Sequence, residues 1–232
     1  MATTVHVLSV FVAPDGTHGN PLGVVLAGRA VAPSDRQQLA AGLAFSETVF
    51  VEDISFVEDI DAGTSRIEIY TPTQRLPFAG HPTVGTAWLL AHAGTPVATL
   101  RTDAGDVAAW RDGDMQWVRA RPGWAPEFTL QQHGSPDDVL ALTGAPHGVH
   151  ALYAWAWIDE ALGTVRARMF GPCVGIAEDE ATGAAAIRLA AHLGRPITIT
   201  QGRGSILHTR LGPDDTIELG GRVTRAEVRA LS

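Results

Sequence analysis

The sequence predicts an α/β (α+β) fold of two pseudo-symmetric halves, each a curled β-sheet or barrel around a central helix. Three observations predict it. Residues 76–93, Leu-Pro-Phe-Ala-Gly-His-Pro-Thr-Val-Gly-Thr-Ala-Trp-Leu-Leu-Ala-His-Ala, read as a loop entering a helix that is apolar nearly all round, hence central rather than superficial. A shift of 100 residues superposes this region on a second one: Arg66 meets Arg166, Tyr70 meets Phe170, Pro72 meets Pro172, Leu89 meets Leu189, His92 meets His192, Gly94 meets Gly194 and Pro96 meets Pro196. Short strands flank both helices. Two copies at so long a period exclude a solenoid and favour two facing halves.

The elements follow in order. Val5–Val12 reads as a strand closed by the turn Pro14-Asp15-Gly16. Gly19-Asn20-Pro21 reads as a second turn before the strand Leu22–Ala27. Ser34 with Gln37 resembles a capping box for a helix reaching about Gly42. Glu47 stands just before the apolar strand Thr48–Val51. Asp53–Ser65 is an acidic hairpin loop, and Arg66–Thr71 a strand feeding the central loop. Pro82 suits the first turn of the central helix, and Gly94 and Pro96 stop it. Val97–Arg101, Val107–Arg111 and Met115–Arg119 are short strands.

Pro122–Glu127 reads as a linker, which divides the chain into 1–121 and 122–232. Roughly the last 15 residues are expected to pack back on the first half. In the second half Ser135 starts a short helix, and His150–Ile158 and Thr164–Phe170 are strands. Ala181–Leu193 is a second apolar helix, followed by strands Ile197–Gln201 and Ser205–Leu211. Thr224 with Glu227 suggests a last capped helix.

Composition narrows the function classes. The chain has 232 residues, 45% hydrophobic content and a formal net charge of −8. No apolar run approaches membrane-spanning length and no signal peptide is visible, so a soluble cytoplasmic protein is expected. No basic cluster suits nucleic acid. All 17 basic residues are Arg, so no internal Lys can form a Schiff base with pyridoxal phosphate. Cys173 is the only cysteine, which excludes an intrachain disulfide and a two-thiol acid/base pair. The expectation is an enzyme without cofactor or metal. His147 and His150 lack a third ligand at helpful spacing and read as loop histidines. His92 and His192 fall at helix C-termini, where a cationic side chain caps. Trp155 and Trp157 read as packing residues of one strand.

The chemistry gathers in the two loops. Backbone N–H groups around Gly80, His81 and Thr83 leave a helix N-terminus, a ready cradle for a carboxylate, with His81 at its mouth. The second loop, Gly175-Ile-Ala-Glu-Asp-Glu-Ala-Thr-Gly-Ala-Ala185, enters the second helix with Asp179 and Glu180 at its start. Either acid could serve as an N-cap. If the halves face each other, both helix N-termini favour an anionic substrate, and Glu47, His81 and Asp179 can share one site. A buried Glu there has its pKa raised toward neutrality, which suits proton transfer.

These motifs resemble the PhzF-like family of phenazine biosynthesis. The matches are Gly19-Asn20-Pro21, Ser46-Glu47-Thr48-Val49-Phe50, Phe78-Ala79-Gly80-His81-Pro82-Thr83-Val84-Gly85 and Glu178-Asp179-x-Ala181-Thr182-Gly183, with Gln201-Gly202 later. The resemblance implies a diaminopimelate-epimerase-like fold with the site between the halves, and isomerisation of trans-2,3-dihydro-3-hydroxyanthranilate. It implies that Glu47 is the acid/base and that His81 and Asp179 position the substrate. It further implies that Ser46, Gly80, Thr182, Gly183 and Ala184 bind that substrate, with backbone N–H groups near Gly80 and Gly183 holding its carboxylate. A homodimer is implied as well. The family usually has Pro and Ser where this chain has Glu180 and Ala184, which leaves substrate identity open. Alternatives are an isomerase of another unsaturated amino or keto acid in an antibiotic pathway, an amino-acid epimerase or racemase, and a non-catalytic ligand-binding protein.

Overall fold

A computed structural model describes residues 4–55, 63–172 and 175–230. Cys173 and most of the expected acidic loop lie outside these residues. The first half runs β1 (Thr4–Val12), β2 (Asn20–Val25), α1 (Pro33–Leu43), β3 (Glu47–Ser55), β4 (Gly63–Tyr70), β5 (Arg75–Leu76), α2 (Gly80–His92), β6 (Val97–Thr102), β7 (Gly105–Asp112) and β8 (Met115–Ala120). The second runs β9 (Thr129–Gln132), α3 (Pro136–Leu140), β10 (Leu152–Asp159), β11 (Thr164–Gly171), β12 (Ile176–Asp179), α4 (Gly183–Leu193), β13 (Thr198–Gln201), β14 (Ser205–Leu211) and β15 (Ile217–Ala230).

The pairing pattern repeats. β2 lies parallel to β3, β3 antiparallel to β4, β4 parallel to β6, and β6, β7 and β8 follow antiparallel. The same series joins β9, β10, β11, β13, β14 and β15. The short strands β5 and β12 pair with β4 and β11 respectively. Each parallel step needs a crossover: α1 and α3 lie in the first crossover of each half, and α2 and α4 in the second.

Closure differs between the halves. β15 pairs through residues 217–221 with β8 and through residues 222–230 with β1. The ring β1-β2-β3-β4-β6-β7-β8-β15 is thereby a closed eight-stranded barrel. α2 threads it, and every residue from Gly80 to Leu90 is buried. A helix walled on all sides has no polar face, which is why its sequence is apolar all round. In the second half β9 ends the sheet, and α4 keeps a polar side. Arg188 there reaches out to the carbonyls of Ala125 (2.5 Å) and Pro126 (3.2 Å).

Some expected elements are corrected. Thr224 and Glu227 lie in β15, not in a helix. Pairing of Val223–Ala230 with β1 fills that strand's second edge and overrides the local capping pattern. Ser34 does not cap α1: Ala32 is the N-cap, Pro33 opens the helix, and the Ser34 hydroxyl donates to Asp35. Asn20 and Pro21 belong to β2 rather than to a turn. Neither Asp179 nor Glu180 is the N-cap of α4; Thr182 occupies that position. Other expected details hold. Ser135 accepts from the Asp138 N–H at 3.2 Å, His92 Nδ1 donates to the Trp88 carbonyl at 2.8 Å, and Trp155 packs edge-on against Trp157.

Candidate active site

The helices α2 and α4 meet end to end. A Cβ added at Gly80 would lie 2.7 Å from the Gly183 carbonyl carbon, and one at Gly183 would lie 2.9 Å from the His81 nitrogen. Only glycine permits this backbone contact. No side chain caps either helix, so the first-turn N–H groups of α2 and α4 emerge at one place. Gly80, His81, Gly183 and Ala184 sit in these first turns, and the two dipoles add there.

Glu47 opens β3, beside Leu22 of β2. Its Oε2 stands 3.4 Å from His81 Nδ1, and the Glu47 side chain keeps 14% exposure against 3% for His81. Glu47 Oε2 and His81 Nε2 are both buried without a hydrogen-bond partner. Burial, reinforced by the charge of Asp179, raises the Glu47 pKa well above the usual carboxylate range. Burial lowers His81 to about 3, only partly offset by the Pro21 carbonyl, so the ring is neutral. A neutral imidazole can either donate to a carboxylate or accept from a carboxylic acid, depending on tautomer.

Asp179 ends β12 in the opposite half. Its Oδ1 accepts from Asn20 Nδ2 at 2.8 Å and from the Ser46 hydroxyl at 3.5 Å, and its Oδ2 accepts from Thr182 Oγ1 at 2.6 Å. Burial raises its pKa to about 6, against the opposing pull of the Thr182, Asn20 and Ser46 donors. Gln201 is fully buried behind it. Gln201 Nε2 donates to the Asp179 carbonyl (3.0 Å) and to Thr182 Oγ1 (2.9 Å), while its Oε1 accepts from the Thr182 N–H (3.1 Å) and the Tyr153 hydroxyl (3.0 Å). All four positions of this amide are used, which fixes the loop carrying Asp179.

The structure therefore brings Glu47, His81, Asp179, Ser46, Gly80, Thr182, Gly183 and Ala184 to one junction. Asn20 and Gln201 join them, although the sequence assigned them no role at the site. Their place in the motifs Gly19-Asn20-Pro21 and Gln201-Gly202 was the sequence signal; the structure adds that both amides are at most 1% exposed. A buried amide must be fully bonded, which makes it a clamp for whatever it touches.

A family model described as phenazine biosynthesis-like protein, PhzC/PhzF, matches residues 8–145. The chain belongs to the PhzC/PhzF family. It is 30% identical over 231 residues to trans-2,3-dihydro-3-hydroxyanthranilate isomerase of Pseudomonas fluorescens, covering 79% of this chain and 80% of that protein. The Pseudomonas aeruginosa protein of the same name is 28% identical over 227 residues, covering 82% and 80%. Among solved structures, the PhzF-family protein of Bacillus anthracis aligns with a TM-score of 0.74 at 18% identity, covering 100% of this chain and 99% of that one. A hydroxyproline epimerase of Agrobacterium vitis aligns with a TM-score of 0.59 at 14% identity, covering 99% and 93%. This PhzF-type chain is an isomerase with the fold shared by PhzF proteins and this epimerase.

Proposed function

We propose that this isomerase moves a proton within a small, unsaturated, carboxylate-bearing substrate, with Glu47 as its acid/base. The carrying observation is the unpaired Glu47 Oε2, buried beside a neutral His81 where two uncapped helix N-termini converge. The first-turn N–H groups near Gly80 and Gly183 hold the substrate carboxylate. The Glu47 carboxylate takes a proton from one carbon, the double bond migrates, and the carboxylic acid returns the proton to a second carbon. Substrate and product have the same atoms, and Glu47 ends as it began. The neutral His81 ring, 3.4 Å away, sits beside the Glu47 carboxyl without competing for its proton. Asp179, with Ser46 and Thr182, holds the substrate's polar groups.

Trans-2,3-dihydro-3-hydroxyanthranilate is the first substrate to test, because the named relatives act on it. A cytoplasmic homodimer in an antibiotic-type pathway is the setting the family resemblance suggests. No helix among the described residues is long and apolar enough to cross a membrane.

Glu47→Gln should lower kcat/KM by about 10²- to 10⁴-fold while leaving the unfolding midpoint unchanged. Wild-type turnover in deuterated water should place deuterium at the carbon that gains the proton. Full activity of the variant would remove Glu47 from its role. Deuterium at a single inverted stereocentre would replace isomerisation by epimerisation.

A further inference from the structure

We infer that Glu180 is a positioning residue that, with Ser205, ties the first half's Asn20 onto Asp179 through a closed circuit of bonds across the junction. The Glu180 carboxylate lies along the turn between β13 and β14. A Cβ at Gly202 would sit 2.7 Å from its Cδ. Glu180 Oε1 accepts from the Ser205 hydroxyl at 2.8 Å and from the Arg203 N–H at 3.1 Å, and Oε2 accepts from Arg203 Nε at 3.1 Å. Ser205 is fully buried, and its Oγ accepts the Gly19 N–H at 2.9 Å. Because Gly19 donates to that oxygen, the Ser205 hydroxyl hydrogen is committed to Glu180.

Gly19 has φ +88°, and the next residue is Asn20. The Asn20 side chain donates to Asp179 Oδ1 at 2.8 Å and to the Ala181 carbonyl at 2.9 Å. The circuit runs from Asp179 through one peptide to Glu180, then Ser205, Gly19, one peptide to Asn20, and back to Asp179. Two of its links, Ser205–Gly19 and Asn20–Asp179, cross between the halves. A network this enclosed couples its members, so loosening one link loosens the aim of Asn20.

Glu180 also acts through space, because its charge pushes the Asp179 pKa upward. The other titratable groups facing Asp179 are Glu47 from β3 and Tyr153 from β10. The two actions of Glu180 differ in sign when tested separately, and that separates positioning from a merely structural role.

The inference rests on Asp179 working in the proposed site, but its test reads Asp179 rather than turnover. The experiment is a carboxyl ¹³C NMR titration of Asp179 in the full chain, on a Glu47→Gln background that removes the coupled neighbour. Glu180→Gln keeps an oxygen for Ser205 but loses the charge, so the Asp179 midpoint should fall by about half a pH unit or more. Ser205→Ala keeps the charge but frees Gly19 and Asn20, so the midpoint should rise by about half a unit as a donor is lost. Shifts of the same sign in both variants, or no shift in Ser205→Ala while it stays folded, would overturn the circuit. If Glu47→Gln proves fully active, the proposed function fails, and the titration still decides the circuit.

Discussion

His81 shows how one buried side chain carries both chemistry and stability. Burial holds its pKa at about 3, against 6.5 for the exposed ring. Between those values the unfolded chain binds a proton that the folded chain refuses. The contribution of His81 is therefore complete above pH 6.5 and is lost as pH falls toward 3. Asp179 slopes the other way, because its folded pKa of about 6 exceeds the ordinary 3.8. His81→Asn removes the first dependence. The stability difference between wild type and this variant should shrink by roughly 1.4 kcal/mol for each pH unit below 6.5. Denaturant melts at closely spaced pH values measure it, and a constant difference would mean that the folded protein protonates His81 freely.

At the scale of elements, the contact between α2 and α4 decides the site. Gly183→Ala would ordinarily favour a helix by about 1 kcal/mol. Here the new methyl would meet Leu219 Cδ2 at 2.7 Å and the His81 nitrogen at 2.9 Å. The variant should lose about 1–3 kcal/mol instead, together with most of its activity, because the helix ends are forced apart. Gly42→Ala in α1, where nothing lies within 4 Å of the added carbon, is the control and should gain stability. Equal effects at both positions, read from unfolding midpoints and kcat, would refute the close junction. The legibility of each element follows the same physics. The helix α2 was readable because enclosure leaves an all-round apolar signature in its own residues. The strand β9, Thr-Leu-Gln-Gln, carries no alternation and is defined only by its parallel partner β10. In β15 a local capping pattern was overruled by pairing with β1 more than 200 residues away in sequence. Glu47 announced itself as a carboxylate entering an apolar strand, and His81 and Asp179 by their place where a loop enters an apolar helix, whereas the clamping roles of Asn20 and Gln201 exist only once two distant segments meet.

Across the whole molecule the two halves are unequal partners in one sheet. We place the boundary between residues 121 and 122, just beyond β8, where the repeat of pairings begins again. The first barrel nevertheless takes its eighth strand from the far end of the chain, since β15 joins β8 to β1. Without β15, β1 and β8 would each present an open edge, and the apolar α2 would lose one wall. The second half depends on the first just as directly, because β8 covers the edge of β15 opposite β14, and β1 pairs with the rest of that strand. Neither half therefore has a complete core of its own. Residues 1–121 expressed alone should show no cooperative thermal transition and should bind a hydrophobic dye. Mixing them with residues 122–232 should restore a single cooperative transition, because β15 can then close the ring. Isomerase activity should return only in that mixture, since Glu47 and His81 lie in one fragment and Asp179 in the other. A first half that melts cooperatively by itself would show that its barrel closes without the borrowed strand.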